Sequence, residues 1–307
     1  MIDIAPANKK LVLGTALWGW GVTREEAFAL LENYLQSGGD IVDTATNYPI
    51  NKCKDDFGLA IKWLGEWKAL HPRAKLALIA KIGSKDNMGG PETDLSHDSI
   101  IESYARLRDV FEDSLSCVSI HWDNRLGSHE QAGIDQTVAA MSRIRESGLD
   151  IGLSGIKSPL HYRLANPDLS GDWIIQVKEN FLTDQARQSY EEHFPYARYL
   201  AYGINMGGVK SDALNKDSSV NLRGIEVESA FLERLQSILG SDHGIEPRPT
   251  TLNELSLAFA YGNASLAGVI IGPRNVKQLV DTIDYWKRLE HSAKSPAGQR
   301  YLNEMFR

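Results

Sequence analysis

Cysteine is scarce in this chain: Cys53 and Cys117 are the two in 307 residues, and no CxxC pair occurs. A disulfide framework and a zinc ribbon are therefore not expected, and two thiols are. Histidine is present without metal-site spacing, since His97, His129, His161, His193 and His243 form neither HxH nor HExxH, so no metal is expected. Basic charge is outnumbered, 33 Lys and Arg against 40 Asp and Glu, and the net charge of -7 gives no attraction for nucleic acid. No apolar run reaches the roughly 18 residues of a membrane span. The stretch from Lys9 to Gly21 imitates a signal peptide, but Gly14, Gly19 and Gly21 interrupt it and it leads into an amphipathic segment at Thr23. A cytoplasmic protein with no membrane partner is the expectation. A GxGxxG turn is also missing, because Gly19-Trp20-Gly21 lacks the third glycine.

What is present is an alternation. With 42% hydrophobic and 24% charged residues the chain is globular in composition, and its length admits two domains or one barrel, since barrels run to about 250 residues and more. Short apolar runs at 11–15, 41–43, 76–81, 117–121, 151–154, 173–177, 198–202 and 268–271 read as eight strands separated by helical segments. The helices carry start and stop signals. Thr23 and Glu26 form a capping box ahead of Ala27, Leu30, Leu31, Tyr34 and Leu35, and Gly38 and Gly39 end that helix. Thr251 and Glu254 repeat the box, and Asn275 precedes the apolar face Val276, Leu279, Val280 and Ile283. Eight βα units without the dinucleotide fingerprint favour a closed (β/α)8 TIM barrel over a doubly wound sheet. No composition shift marks a boundary, so residues 1–307 read as one domain, with long connections at 82–95 and 203–226 on its catalytic face.

In such a barrel, polar residues at the C-terminal ends of strands face a common pocket. Asp43, Lys81 and His121 end apolar runs, and Tyr48 follows Asp43 by five residues. A carbonyl receiving hydride develops negative charge on oxygen, which a tyrosine hydroxyl can protonate. The ordinary phenol pKa of about 10 is high for exchange in both directions, and a cation at Lys81 would favour the phenolate. Asp43 would hold that ammonium, and His121 would orient the substrate oxygen by donating a hydrogen bond.

These residues stand in motifs that resemble those of the aldo-keto reductase superfamily: Gly14-Thr15, DTATNY at 43–48, AKIG at 80–83 and IHWD at 120–123. The resemblance implies a (β/α)8 barrel, a bound NADPH or, less often, NADH, and Asp43, Tyr48, Lys81 and His121 as the catalytic set. It extends to the end of the chain. By resemblance, Ser154 and Gln176 hold the nicotinamide carboxamide, with Gly155 standing where an asparagine is usual. Tyr202 is the ring platform, and the stretch from Gly203 through Asn205 to Gly208 passes the pyrophosphate, although the usual Ser-Pro-Leu is absent. The segment IIGPRNVKQLVD at 270–281 is similar to the family's adenosine-binding segment and implicates Gly272, Arg274, Gln278 and Asp281. Thr282 replaces a frequent asparagine. Arg274 suits a 2'-phosphate beside a helix N-terminus, which favours NADP over NAD.

Taken singly, each residue has a plainer reading: Asp43 as a loop cap, Tyr48 as a half-buried ring, Lys81 as a solvated strand end, His121 as a core histidine. The joint pattern is what favours chemistry. Trp18, Trp20 and Trp122 follow strand ends and form a candidate substrate wall, or serve as packing mass. Two other functions stay open. Lys81 at a strand end is also how a Schiff-base aldolase works, and a nucleotide-binding sensor subunit would keep the cofactor segment without turnover. The expected partner is a small carbonyl compound or sugar, and the oligomeric state is left open.

Overall fold

Alternating apolar runs and amphipathic helices fold here as strands and their covers. The computed structural model describes residues 1–206, 229–241 and 245–292. His243, Gly208 and residues 207–226 of the expected long connection lie outside them. Eight parallel strands, β1 Lys10–Gly14, β2 Ile41–Ala45, β3 Ala77–Ile82, β4 Leu115–Asp123, β5 Asp150–Ile156, β6 Trp173–Lys178, β7 Arg198–Tyr202 and β8 Leu266–Ile271, close into a barrel in chain order. The seam is β1 against β8, from Lys10 beside Gly268 to Leu13 beside Ile271. This is the (β/α)8 architecture that the alternation implies. The covering helices are α1 Arg24–Gln36, α2 Leu59–Leu70, α3 His97–Phe111, α4 Gln131–Glu146, α5 Pro159–Ala165, α6 Gln185–Glu191, α7 Ser229–Gly240, α8 Leu252–Gly262 and α9 Val276–His291. None is long and apolar enough to cross a membrane.

Local chemistry sets the helix ends. The Thr23–Glu26 box caps α1 and the Thr251–Glu254 box caps α8, each satisfying two backbone donors, while Asn275 caps α9 through the Gln278 N–H. Helix α1 stops before Gly38, whose φ of 92° suits glycine, and buries Ala27, Leu30, Leu31 and Tyr34 against the barrel.

The strands' period of two separates two cores. Outward-facing Leu13, Val42, Leu78, Ala80, Val118, Ile120 and Ile175 pack with the helices, each large side chain contributing about 1.5–3 kcal/mol on full burial. Val12, Ile41, Ile79, Cys117, Ile174 and Leu200 fill the lower lumen, where Ile2 and Ile4 join them from the segment before β1. That segment is tied down by the Ile2 N–H donating to Asp150 Oδ2 at 2.5 Å, and Arg198 pairs with the same carboxylate at 2.8 Å. Further up the same strands, Asp43, Lys81 and Gln176 one pleat on and His121 two pleats on share the lumen side with Ile41, Ile79, Ile174 and Cys117. The strands run past the sequence expectation. Asp43 lies two residues before the end of β2, Lys81 one before the end of β3 and His121 two before the end of β4, because polar side chains that satisfy one another do not need to terminate a strand.

At the seam, backbone approaches too closely for a side chain. A Cβ on Gly268 would lie 2.4 Å from the Lys10 carbonyl oxygen and 2.9 Å from Leu200 Cδ2. Gly268→Ala is therefore expected to destabilise the barrel by about 1–3 kcal/mol, the usual cost of overpacking. A urea midpoint equal to the wild type would contradict this close contact.

Candidate active site

The upper lumen holds a buried ion pair. Lys81, 1% exposed, donates from Nζ to Asp43 Oδ2 at 2.5 Å, and Gln176 Nε2 donates to the other carboxylate oxygen at 2.6 Å. Tyr48 sits in the turn after β2, its N–H bonded to the Ala45 carbonyl at 3.2 Å, with Lys81 Nζ 5.0 Å from its ring centroid. His121 meets the same ring edge-on at 5.4 Å. All four tetrad candidates thus converge from β2, its turn, β3 and β4.

Their protonation follows from burial and charge. Burial pushes the Tyr48 phenol above its ordinary value of 10, with Lys81 working in the opposite direction and Asp43 adding to the rise. The sequence expectation of a cation favouring the phenolate is present as a force and is outweighed, so Tyr48 holds its proton at neutral pH. Burial lowers Lys81, but Asp43 and Tyr48 more than offset it, and its net shift is upward. Burial and the Lys81 ammonium both push His121 well below 6.5, so its imidazole is neutral.

Sequence reasoning missed the shell around His121. Asn47 Oδ1 lies 3.0 Å from Nδ1, and Asn47 Nδ2 donates to the Asp86 carbonyl at 3.0 Å, tying the connection after β3 to the turn after β2. Ser84 Oγ stands 3.4 Å from the same ring nitrogen. Asn87 adds a bond to the Cys53 carbonyl at 2.6 Å. No periodicity links positions 47 and 121, which are 74 residues apart. The one local hint was a polar side chain directly before the tyrosine.

The three tryptophans separate. Trp122 packs on His121 with ring centroids 4.2 Å apart and lines a cavity of about 410 Å³ with Ile50, Gly89, Gly90, Pro91 and Asn124. Its Nε1 is buried with no hydrogen-bond partner among the described residues. Trp20 is half-buried. Trp18, 1% exposed, belongs to the core between barrel and helices and not to a substrate wall, because the turn after β1 folds it inward and pairs it with Val22.

Candidate cofactor residues ring the same strand ends. Gly14 ends β1 against Ile270 and Ile271, and Thr15 donates its hydroxyl to Thr44 at 2.8 Å. Ser154 is buried on β5 with its carbonyl bonded by the Tyr190 hydroxyl, and the adjoining Gly155 is exposed beside Trp122. Gln176, expected to hold a carboxamide, spends its amide donor on Asp43. Tyr202 is 37% exposed at the end of β7, an aromatic side chain of the kind a planar ring stacks on. Gly203 follows it at a φ of 67° and accepts from Asn180 at 3.0 Å. Asn205 donates to Asn253 at 2.6 Å, while its own buried Oδ1 has no partner among the described residues, an orphaned acceptor that fits a donor from a ligand. Asn253 in turn donates to Thr282 at 3.0 Å, so the threonine departure is absorbed by an amide from α8. At the last strand end, Gly272 is exposed, the Arg274 N–H bonds Gln278 Oε1 at 2.9 Å, and Asp281 pairs with Lys277 at 2.6 Å.

The sequence pattern described as the Aldo/keto reductase family matches residues 10–297. The chain belongs to this family. It is 30% identical to Protein tas of Escherichia coli strain K12, the match covering 89% of this chain and 88% of that one. A putative aryl-alcohol dehydrogenase of Saccharomyces cerevisiae is 23% identical over 89% of this chain and 78% of its own. In fold, the chain is similar to a glycerol dehydrogenase from Gluconobacter oxydans (TM-score 0.72, 18% identity, 99% and 92% of the two chains). It is likewise similar to an aldo-keto reductase from Bacillus halodurans in its holo form (0.69, 18%, 96% and 91%). Aldo-keto reductases use nicotinamide cofactors and act on small carbonyl substrates.

The imidazole also sets a pH dependence of folding. The folded chain keeps His121 neutral far below 6.5, whereas the unfolded chain binds the proton near 6.5. The stabilising contribution is complete above that pH and falls as pH drops below it, by about 1.4 kcal/mol per unit. Urea unfolding at pH 7.5 and 5 is expected to show a smaller acid loss for His121→Gln than for the wild type. Equal losses would exclude a depressed folded-state value.

Proposed function

We propose that the chain, residues 1–307 as one domain, is an NADP(H)-dependent oxidoreductase that interconverts an aldehyde, ketone or sugar carbonyl with the corresponding alcohol. One observation carries the reading: a buried ammonium, held by Asp43, beside a buried phenol that keeps its proton at neutral pH. A bound nicotinamide supplies or accepts the hydride. Tyr48 then gives its hydroxyl proton to the substrate oxygen in reduction and recovers it in oxidation. Lys81 stabilises the tyrosinate left behind, and Asp43 keeps the ammonium aimed at it. Burial of the pair strengthens that stabilisation, because no water screens it.

Residues that would hold the cofactor are Tyr202 for the ring, Ser154 and Gln176 for the carboxamide, Gly203 along the phosphates, Asn205 beside them with its Oδ1 accepting from a ribose hydroxyl, and Gly272, Arg274, Gln278 and Asp281 around the adenosine, with Gly14 and Thr15 at the first strand end. The preference for NADP over NAD rests on Arg274, whose guanidinium has no ion pair among the described residues and stands at the N-terminus of α9. Two unpaired cysteines, Cys53 exposed and Cys117 buried, support a cytoplasmic setting. A Schiff base at Lys81 is disfavoured, since a lysine held protonated by Asp43 is a poor nucleophile.

Tyr48→Phe is expected to lower the reduction rate at least about a hundredfold with cofactor affinity nearly unchanged. The check is consumption of NADPH over a panel of aldehydes, ketones and sugars, with NADPH binding followed by tryptophan fluorescence. Unaltered turnover removes the proton-donor role, and binding without any turnover by the wild type favours a sensor. Arg274→Ala is expected to weaken NADPH binding more than NADH binding; equal losses contradict the 2'-phosphate reading.

A further inference from the structure

The turn that ends β7 is tied to the end of β6. The Glu179 N–H donates to the Tyr202 carbonyl at 3.2 Å, and the Gly203 carbonyl accepts from Asn180 Nδ2 and from the Met206 N–H, each at 3.0 Å. Lys178 is the last residue of β6 and pairs in register with Tyr202. The strand period puts it on the lumen side, one pleat above Gln176, so its backbone is fixed beside the candidate ring platform. Its stem lies against the turn, since a Cβ on Gly203 would sit 3.6 Å from Lys178 Cγ, an ordinary van der Waals contact. The neighbouring charges are spoken for. Buried Glu179 is held by Arg187 at 2.7 Å and by Asn263 at 2.5 Å, and Arg187 also pairs with Glu191 and Asp184. Lys178 is exposed and makes no hydrogen bond or ion pair among the described residues.

A dinucleotide's diphosphate is ionised at neutral pH, and the described residues along its path, Gly203 and Asn205, bring no cation to it. The Gly203 carbonyl is spent, and the free Oδ1 of Asn205 is an acceptor that a phosphate oxygen cannot satisfy. Gly203-Ile204-Asn205 also carries no hydroxyl. We infer that Lys178 is a binding residue for the diphosphate, its stem covering Gly203 and its ammonium meeting the phosphate oxygens from the β6 side of the turn. An ammonium binds phosphate as a compact point charge, and a flexible stem on a fixed backbone lets it reach without any movement of the barrel. Position 178 is not among the cofactor residues that the family motifs imply. The diphosphate is common to NADP and NAD, so Lys178 adds affinity for both without choosing between them, whereas Arg274 bears on the 2'-phosphate. The inference rests on the proposed function only in placing a dinucleotide across the end of β7.

The test is calorimetric titration of NADP, NAD, ADP-ribose and adenosine 2'-monophosphate into the full chain as wild type, Lys178→Met and Lys178→Arg. Lys178→Met keeps the stem and removes the charge. It is expected to weaken NADP, NAD and ADP-ribose by a common factor of about tenfold, the equivalent of one charge-assisted contact, and to leave adenosine 2'-monophosphate, which has no diphosphate, unchanged. Lys178→Arg keeps the charge and is expected to stay within about threefold of the wild type. The affinity of Lys178→Met for ADP-ribose is also expected to fall less steeply with added salt, because one screened attraction is gone. Unchanged ADP-ribose binding by Lys178→Met overturns the inference, as does a loss confined to NADP, which would place the lysine at the 2'-phosphate. An equal loss for adenosine 2'-monophosphate would show a general field in place of a contact, and parallel salt dependences, or a Lys178→Arg as weak as Lys178→Met, would show that charge is not the cause; each overturns it too. NADP binding without turnover removes the oxidoreductase reading and leaves this inference standing, whereas turnover with wild-type affinity in Lys178→Met does the reverse. A wild type that binds none of the diphosphates overturns both.

Discussion

A charged lysine inside a barrel is tolerable only with a partner at hydrogen-bond distance, and the Lys81–Asp43 contact meets that requirement. Transferring either ion alone from water to such a place costs several kcal/mol, and removing one partner of a buried pair typically costs about 3–5 kcal/mol. The rest of the upper lumen is arranged around this constraint. Gln176 satisfies the second carboxylate oxygen, the Tyr48 ring closes over the ammonium, and the combined cation and burial keep His121 neutral. Under the proposed function, stability and chemistry are thus in tension at one point: the charge that an apolar side chain would replace without loss is the charge that would stabilise a tyrosinate.

The barrel makes the pair possible by separating its lumen into layers. Below Asp43 and Lys81, the branched side chains of the same strands form a dry floor. Above them, the turns after β2 and β3 are laced together by asparagines, so the tyrosine and the histidine are held by loops that themselves have fixed backbone partners. Positions on strands fix the ions, and positions on loops hold the phenol and the imidazole beside them.

Much of this was readable in the sequence, for identifiable reasons. Strand parity and helix caps are local, and so the eight strands, the capping boxes at Thr23 and Thr251 and the glycine stop after α1 could be named before any coordinates. The tetrad candidates were legible because chemistry restricts residue type at strand ends. What was not legible depends on meetings between distant segments. The Asn47 contact with His121, the diversion of Gln176 to Asp43 and the filling-in for Thr282 by Asn253 leave no periodic trace. Trp18 shows the complementary failure, because a large aromatic near a strand end has the same sequence signature whether it faces a ligand or the core. The family motifs carried residue types to the correct strands but held no information on which protein group each side chain spends its hydrogen bonds on.

The β1–β8 seam joins parts of the chain about as far apart as the barrel contains. While the protein is being synthesised, β1 exposes an unpaired edge until Leu266–Ile271 has left the ribosome, and neighbouring strands cannot cover it from that side. Closure of the ring is therefore a late, long-range event, because the pairing that completes it needs the last strand. The lysine that begins β1, and the polar residues just ahead of it, place charge on that edge during the interval in which it is exposed.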